Sequence, residues 1–324
     1  MELIIMKKIS VALAAYCGEK FIAEQIESLV SQTTPPDEII ICDDSPDMET
    51  FKQIEKFINT GKNIKYIHNN EQLGVCRNFE KAINHCSGEY IFLCDQDDVW
   101  LPEKVETLTS ALDAHPEYSG AFCNSTAVDE NLINLGFSLW EMRNFTPVMQ
   151  AELANGNSLK VFLKRVTLSS HNIVFRRKYI DRIMPFPELG TFFPDTWIGL
   201  QLAVSGNWLA VDQELTRYRI HQNNCSAPAK PDLKVQINLS RKARKHNAIA
   251  QTVHLAEELI RRAPQNTSSE YMKMLQDFMT HYMHRSNYSE NHFFKLFQIL
   301  RECSSGRYKN YSNGIKSIAA DIFL

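Results

Sequence analysis

A chain of 324 residues with 44% hydrophobic content is long enough for one large domain and a smaller addition, and has the composition of a soluble globular protein. Its net charge of −3 gives no electrostatic basis for nucleic-acid binding. No apolar run approaches the ~18 residues needed to span a bilayer, and the apolar part of the opening MELIIMKK is too short for a secretion signal. The eight cysteines show neither Cys-x-x-Cys nor zinc spacing. Cys42, Cys94 and Cys123 fall inside apolar runs and read as small core residues of a reducing, cytoplasmic protein.

Taken in order, Ile9 to Ala15 is a predicted strand, followed by a helical pattern with Phe21, Ile22, Ile26, Leu29 and Val30 on one face. Pro35-Pro36 stops it. Glu38 to Cys42 is a second strand, and the next helix carries Phe51, Ile54, Phe57 and Ile58. Ile64 to His68 is a third strand, and Gly74 precedes a helix with Phe79, Ala82 and Ile83 inward. The fourth strand is Tyr90 to Cys94. This alternation of strand and helix implies crossover connections and a mostly parallel sheet flanked by helices, an α/β fold. After a helix over Pro102–Ala114 and a strand over Gly120–Ala127, Asn131 to Gly156 has weak periodicity and reads as a loop over the site. A short helix (Leu159–Val166), a short strand (Ile173–Phe175), an apolar helix through Val204, and strands at Trp208–Val211 and Leu215–Ile220 follow. From Asp232 helical periods dominate, which puts a domain boundary near Pro228–Pro231.

The stretch Gly88 to Glu103, GEYIFLCDQDDVWLPE, concentrates the chemistry. An apolar strand runs straight into Asp95, Asp97 and Asp98, and in open α/β sheets ligands bind at the carboxyl ends of strands. Clustered carboxylates repel one another unless a cation or a proton intervenes. An Asp-x-Asp pair offers hard oxygen ligands suited to a divalent ion that holds substrate phosphates. Short motifs of this kind also occur in ordinary loops. Read singly, Asp195 is a helix cap, Asp44 a turn former and Arg77 a surface residue of its helix. A lone histidine such as His221 is more often structural than a ligand.

The order of the motifs is more specific than any one of them. Ala14-Ala15-Tyr16-Cys17, Asp43-Asp44-Ser45-Pro46, Gly74-Val75-Cys76-Arg77-Asn78, Asp95-Gln96-Asp97-Asp98, Asp195-Thr196-Trp197 and Tyr218-Arg219-Ile220-His221-Gln222-Asn223-Asn224 occur in succession. Together they resemble the inverting nucleotide-sugar glycosyltransferases of family 2, which have the GT-A fold. The resemblance covers roughly residues 7–226. It implies a GT-A domain over residues 1–227, with a nucleotide-sugar half to about 127 and an acceptor half beyond, and a helical region over 228–324. It departs from the family pattern at Cys17 for the usual Asn, in the missing glycine after Asp44, and at Ser169-Ser170-His171-Asn172, where a small pair is usual.

The resemblance also implies roles. Asp97 would ligate Mg²⁺ or Mn²⁺, Asp95 the ribose or the metal, and His221 the metal or a phosphate oxygen. Ala14, Tyr16, Asp44 and Gly74 would line the nucleotide site, with Arg77 as a fork for phosphate or for the acids. Asp195 would be the general base and Trp197 would shape the sugar site. The expected donor is a deoxythymidine- or uridine-diphosphate sugar, rhamnose first, and the expected acceptor a saccharide or polyisoprenoid-linked saccharide in bacterial surface-polysaccharide synthesis. Two other readings compete: a haloacid-dehalogenase-type phosphohydrolase, from Asp95-Gln96-Asp97-Asp98-Val99, and a non-catalytic scaffold. Arg241, Lys242, Arg244 and Lys245, together with the apolar run around Phe293 to Leu300, suggest peripheral docking on an anionic membrane or a homodimer interface.

Overall fold

The computed structural model describes residues 8–59, 63–188, 190, 192–222, 224 and 248–323. The first half alternates as its apolar pattern predicts: β1 (Ile9–Ala15), α1 (Ile22–Val30), β2 (Glu38–Asp43), α2 (Glu49–Ile58), β3 (Ile64–His68), α3 (Val75–His85) and β4 (Tyr90–Asp95). β1 lies between β2 and β4, with β3 outside β2, and all four strands are parallel. Side chains alternate between the two faces. Val11, Leu13, Ile39, Ile41 and Phe92 pack with Ile22, Ile26 and Leu29 of α1, whereas Ala12, Ile40, Ile91 and Leu93 pack with Phe79, Ala82 and Ile83 of α3.

The second half extends this sheet with mixed directions. In order come β5 (Val99–Trp100), α4 (Lys104–Ala114), β6 (Tyr118–Val128), β7 (Asn134–Ser138), α5 (Leu139–Met142), α6 (Pro147–Ala154), α7 (Ser158–Lys164), β8 (Ile173–Arg176), α8 (Ile180–Ile183), α9 (Pro194–Ser205) and β9 (Asn207–Arg219). The sheet order is β3-β2-β1-β4-β8-β6-β9-β5, with β7 on β6. β8 runs antiparallel to both β4 and β6, and β9 is parallel to β6. At their crossing, Gly120 is required by space: a Cβ there would sit 2.6 Å from the Trp208 ring and 2.7 Å from the Val174 carbonyl.

Two sequence expectations are corrected. Asn131–Gly156 is no open loop but β7, α5 and α6. Ser138 and Glu141 form a capping box on α5, Thr146 caps α6, and Pro147 opens α6. Two of the segment's aromatics are core: Trp140 and Phe145 meet edge-to-face at 4.9 Å, and both pack on Phe122. The two strands expected at Trp208–Val211 and Leu215–Ile220 are one strand, β9. Its pairing with β6 slips by two residues between Val211 and Glu214, so Asp212 and Gln213 bulge out.

The C-terminal helices are α10 (Ala248–Arg261), α11 (Ser269–Ser286), α12 (His292–Ser304), α13 (Arg307–Tyr311) and α14 (Ile315–Phe323). Leu255, Ala256 and Leu259 of α10 and Leu275 and Phe278 of α11 are buried in the same apolar cluster as Trp197 and Trp208. The basic run Arg241–Lys245 lies outside the described residues. Because Leu275 is fully buried in a shared core, Leu275→Ala is expected to cost about 2–5 kcal/mol. Denaturant unfolding should show that loss in one cooperative transition that also melts the N-terminal sheet.

Candidate active site

The parallel register brings the strand ends together: Ala15 is paired with Asp43, and Ala14 with Asp95. Asp43 is spent on structure. It accepts from the Ser45 N–H (2.8 Å) and from the hydroxyls of Ser45 (2.5 Å) and Tyr66 (2.7 Å). Asp44 accepts from Asn69 Nδ2 at 2.5 Å and from the Gly74 N–H at 2.8 Å. Gly74 has φ +79°, a conformation in which a side chain is strained. Asn78 Nδ2 donates to the carbonyls of Ala15 (3.1 Å) and Cys42 (2.9 Å), tying the tips of β1 and β2. Half-buried Ala14 and exposed Tyr16 lie beside this tie. The Gln96 side chain clasps the Tyr16 backbone, accepting its N–H at 2.8 Å and donating to its carbonyl at 2.9 Å. Cys17 sits at φ +48°, where Asn is at ease, which accounts for the usual Asn at this position.

Beyond β4 the acids divide into two groups. Asp97 Oδ2 lies 2.9 Å from His221 Nε2, across 124 positions of sequence. Deeper, His171 Nδ1 lies 3.5 Å from Asp98 Oδ2 and 3.7 Å from Asp95 Oδ2. His171 and Asp98 are fully buried, and these two facing atoms, Nδ1 and Oδ2, have no hydrogen-bond partner among the described residues. Such spacings suit two or three ligands around one divalent ion, whose bonds to nitrogen or oxygen run about 2.0–2.2 Å. His171 stacks on Tyr218 at 4.6 Å, and its Nε2 meets the Ser125 hydroxyl at 3.1 Å. Among the described residues Asp95, Asp98 and His171 form a group that could hold a metal ion; of the ligands expected from sequence, Asp95 lies in it, Asp97 and His221 pair with each other instead, and Asp98 and His171 were not among those expected. Signals were present, because His171 stands where small residues are usual and Asp98 closes the acidic run.

Burial sets the electrostatics. It raises Asp98 well above the carboxylate range, helped by the charges of Asp97 and Asp95. Asp95, a third exposed, is raised to about 7 by desolvation and by Asp97. Burial and the nearby Lys104 push His171 well down, so its imidazole is neutral. Lys104 is itself wholly buried and lowered to about 8 by desolvation. Its ammonium donates to the His171 carbonyl (2.5 Å) and Thr216 Oγ1 (2.9 Å), and lies 3.6 Å above the Trp100 ring.

Asp195 stands in the first turn of α9. The cap position is Phe193 and no side chain caps the helix, so Asp195 is not held as a cap. It is buried, its carboxyl is raised to about 6 by desolvation, and the charges of Arg143 and Asp95 act on it in opposite senses. Arg143, just after α5, was not singled out from sequence. Two expected residues lie elsewhere. Trp197 is fully buried, and its Nε1–H donates to the Ile183 carbonyl at 2.9 Å, so it packs the core rather than lining a sugar site. Arg77 turns from the acids to Glu80 (2.5 Å), Glu188 (3.3 Å) and the Phe186 carbonyl (2.9 Å).

Residues 10–184, more than half of the chain, match the sequence pattern of Glycosyl transferase family 2. The chain belongs to this family. Relatives include EpsE of Bacillus subtilis, 29% identical over 38% of this chain and 45% of that protein. An uncharacterized Haemophilus influenzae glycosyltransferase is 22% identical over 68% of this chain and 67% of its own. WfaP of Escherichia coli, a UDP-Glc:α-D-GlcNAc-diphosphoundecaprenol β-1,3-glucosyltransferase, is 36% identical over 31% of this chain and 39% of that protein. The chain thus spans less than half the length of EpsE and WfaP.

The GT-A fold is shared with solved structures. Staphylococcus aureus TarS 1–349 with UDP-GlcNAc superposes with TM-score 0.60 at 16% identity, covering 97% of this chain and 84% of that one. The Pyrobaculum calidifontis mannosyltransferase PcManGT with GDP-Man and Mn²⁺ gives 0.53 at 16% identity, covering 93% and 76%. Family membership removes the phosphohydrolase alternative.

Protonated acids are poor ligands. Because Asp95 is raised to about 7 and Asp98 well above the ordinary carboxylate range, both acids tend to hold protons at low pH, and a divalent ion must displace those protons. Mn²⁺ should therefore raise the melting temperature more at about pH 8 than at about pH 5.5. Asp97→Ala and His171→Ala, measured separately, report which of the two sets carries the shift; an equal shift at both pH values would exclude the Asp95–Asp98–His171 set.

Proposed function

We propose that this protein transfers a sugar, with inversion at the anomeric carbon, from a nucleoside-diphosphate donor to a saccharide or lipid-linked saccharide acceptor. The observation that carries this reading is Asp195: a buried carboxyl at the head of α9, not employed as a cap, and poised near pH 6. A general base works best with a pKa close to the operating pH. Asp195 takes the proton from the acceptor hydroxyl as its oxygen bonds to the anomeric carbon. The bond from that carbon to the donor's diphosphate breaks on the opposite face, and the electron pair leaves with the phosphate.

Asp97 with His221, or Asp95 and Asp98 with His171, would hold a divalent ion, Mg²⁺ or Mn²⁺, and when bound it would neutralise the departing diphosphate. The histidine in either set leans toward Mn²⁺ over Mg²⁺, which prefers oxygen ligands and water. Asp44 and the Tyr16 backbone would frame the nucleoside. Arg77 and Trp197 leave the proposed contact set, acting instead as a brace between α3 and the Phe186–Glu188 segment and as core packing.

Asp195→Asn is expected to keep donor binding while lowering turnover at least about 10²-fold, the contribution of a positioned base. In the wild type, kcat/KM should rise with pH through about 6, because the carboxylate and not the acid accepts the proton. Near-normal turnover in the variant would remove Asp195 from this role, and a wild type that neither transfers the sugar nor hydrolyses the donor with metal present would favour a scaffold that has lost its reaction.

For the donor we propose the uridine- or deoxythymidine-diphosphate class, with rhamnose the first sugar to try. In its support, WfaP takes UDP-Glc and TarS was solved with UDP-GlcNAc. A thermal-shift panel with metal present should show stabilisation by pyrimidine-linked donors. Stabilisation by guanosine-linked donors alone would assign the protein to the donor class seen with PcManGT instead.

A further inference from the structure

The helices at the C-terminal end carry apolar side chains that the core does not use. On α12, Phe293 is 78% exposed, Phe297 66% and Leu300 58%, with Phe294 and Leu296 beside them. Spacings of three, four and seven residues put Phe293, Leu296, Phe297 and Leu300 on one stripe, and Arg301 falls i+4 from Phe297 and i+7 from Phe294. α14, which packs on α12, adds Ile315 and Phe323, 83% and 85% exposed.

Charge distinguishes this surface from an ordinary sticky patch. Residues 291–324 contain two acids, Glu302 and Asp321. Both are buried and turned inward. Glu302 accepts from Arg307 at 2.7 Å and meets His281 at 2.7 Å and His284 at 2.8 Å. Asp321 takes Arg285 Nε at 2.7 Å and the Tyr308 hydroxyl at 2.7 Å. The exposed charges of this segment are therefore all basic: Arg301, Lys309 and Lys316. Aromatic and aliphatic side chains flanked by three exposed cations, against one exposed acid, Glu290 just before α12, complement an anionic lipid surface, where the rings enter the headgroup boundary and the cations meet phosphate. A second copy of the chain would bring the same cations against one another.

We propose that α12 and α14 form a docking surface for an anionic bilayer. This deepens the lipid-linked-acceptor reading above, since such an acceptor sits in that interface. The test reads vesicle binding alone. Its failure therefore leaves sugar transfer untouched, and failure of transfer leaves this surface untouched.

The test is vesicle flotation of the full chain. Wild type is expected to float with phosphatidylglycerol–phosphatidylcholine vesicles at about 0.1 M salt, and at least about tenfold less with phosphatidylcholine alone. F293S/F297S/L300S should lose at least about tenfold in binding at every salt concentration. R301Q/K309Q/K316Q should lose the component that disappears when screening shortens from about 10 Å to about 3 Å in 1 M salt. All these side chains are exposed, and thermal melts verify that the variants fold. Wild type that stays with the protein fraction overturns the proposal, as do variants that both bind like wild type. So does a lipid-free dimer, measured by light scattering, that the Phe/Leu variant turns into a monomer, because a second copy then covers the stripe.

Discussion

Negative charge held out of water at the end of β4 is the constraint around which this molecule is arranged. Asp98 is fully buried, and among the described residues its Oδ2 has no hydrogen-bond partner, lying 3.5 Å from Nδ1 of His171. An unpaired buried charge costs several kcal/mol. A proton or a cation must occupy the space between these groups, so the site has two natural states. Lys104 lies behind the cluster rather than in it. Its ammonium is saturated by a carbonyl, a hydroxyl and an indole face, and supplies positive potential without quenching the acids.

Arg219 converts that local tension into tertiary order. Its backbone N–H reaches Asp98 at 2.9 Å, its Nε reaches the Asp97 carbonyl at 2.8 Å, and its fork extends to Glu24 and to the carbonyl of Glu130. The guanidinium also lies 4.4 Å from the Phe21 ring, which in turn packs on His221 at 5.1 Å. One side chain thus fastens the last strand to the acidic loop and to the first helix. Arg is suited to this because its planar fork serves several acceptors at once. His221 follows two residues later, so the strut that organises the loop also delivers the imidazole to Asp97.

The first half of the fold was legible because each strand is a short apolar run and each helix has one greasy face; Ile64–His68 came out with the predicted ends. The acidic strand ends were legible for the same reason, since carboxylates interrupting apolar runs have few bland explanations. What escaped depended on tertiary context. Asn131–Gly156 carried its caps openly, Ser138 with Glu141 and Thr146 with Pro147, but weak periodicity outweighed them. The β9 bulge hid because Asp212-Gln213 looks like a turn between two strands. Trp197 lies two residues from Asp195 and Arg77 one from Asn78, yet helix geometry turns Trp197 into the core and Arg77 to Glu80 and Glu188. No local pattern could pair His171 with Asp98, because their meeting needs β8 to lie against β4.

That last pairing has a consequence for how the chain is made. β4 opens with the apolar run YIFLC, and one of its edges is covered by β1 as soon as it emerges. Its other edge waits for β8, whose first residue, Ile173, follows Asp95 by nearly eighty positions. Until then a nascent chain presents the open hydrogen-bonding edge of YIFLC to whatever is nearby, the kind of template that captures foreign strands. Long-range closure of this sort is also slow. Asp95, which ends β4, with Asp97 and Asp98 just beyond it, would lend the waiting edge a repulsive tip, so the acids gathered at this strand end in the finished protein would also discourage aggregation while it is being synthesised.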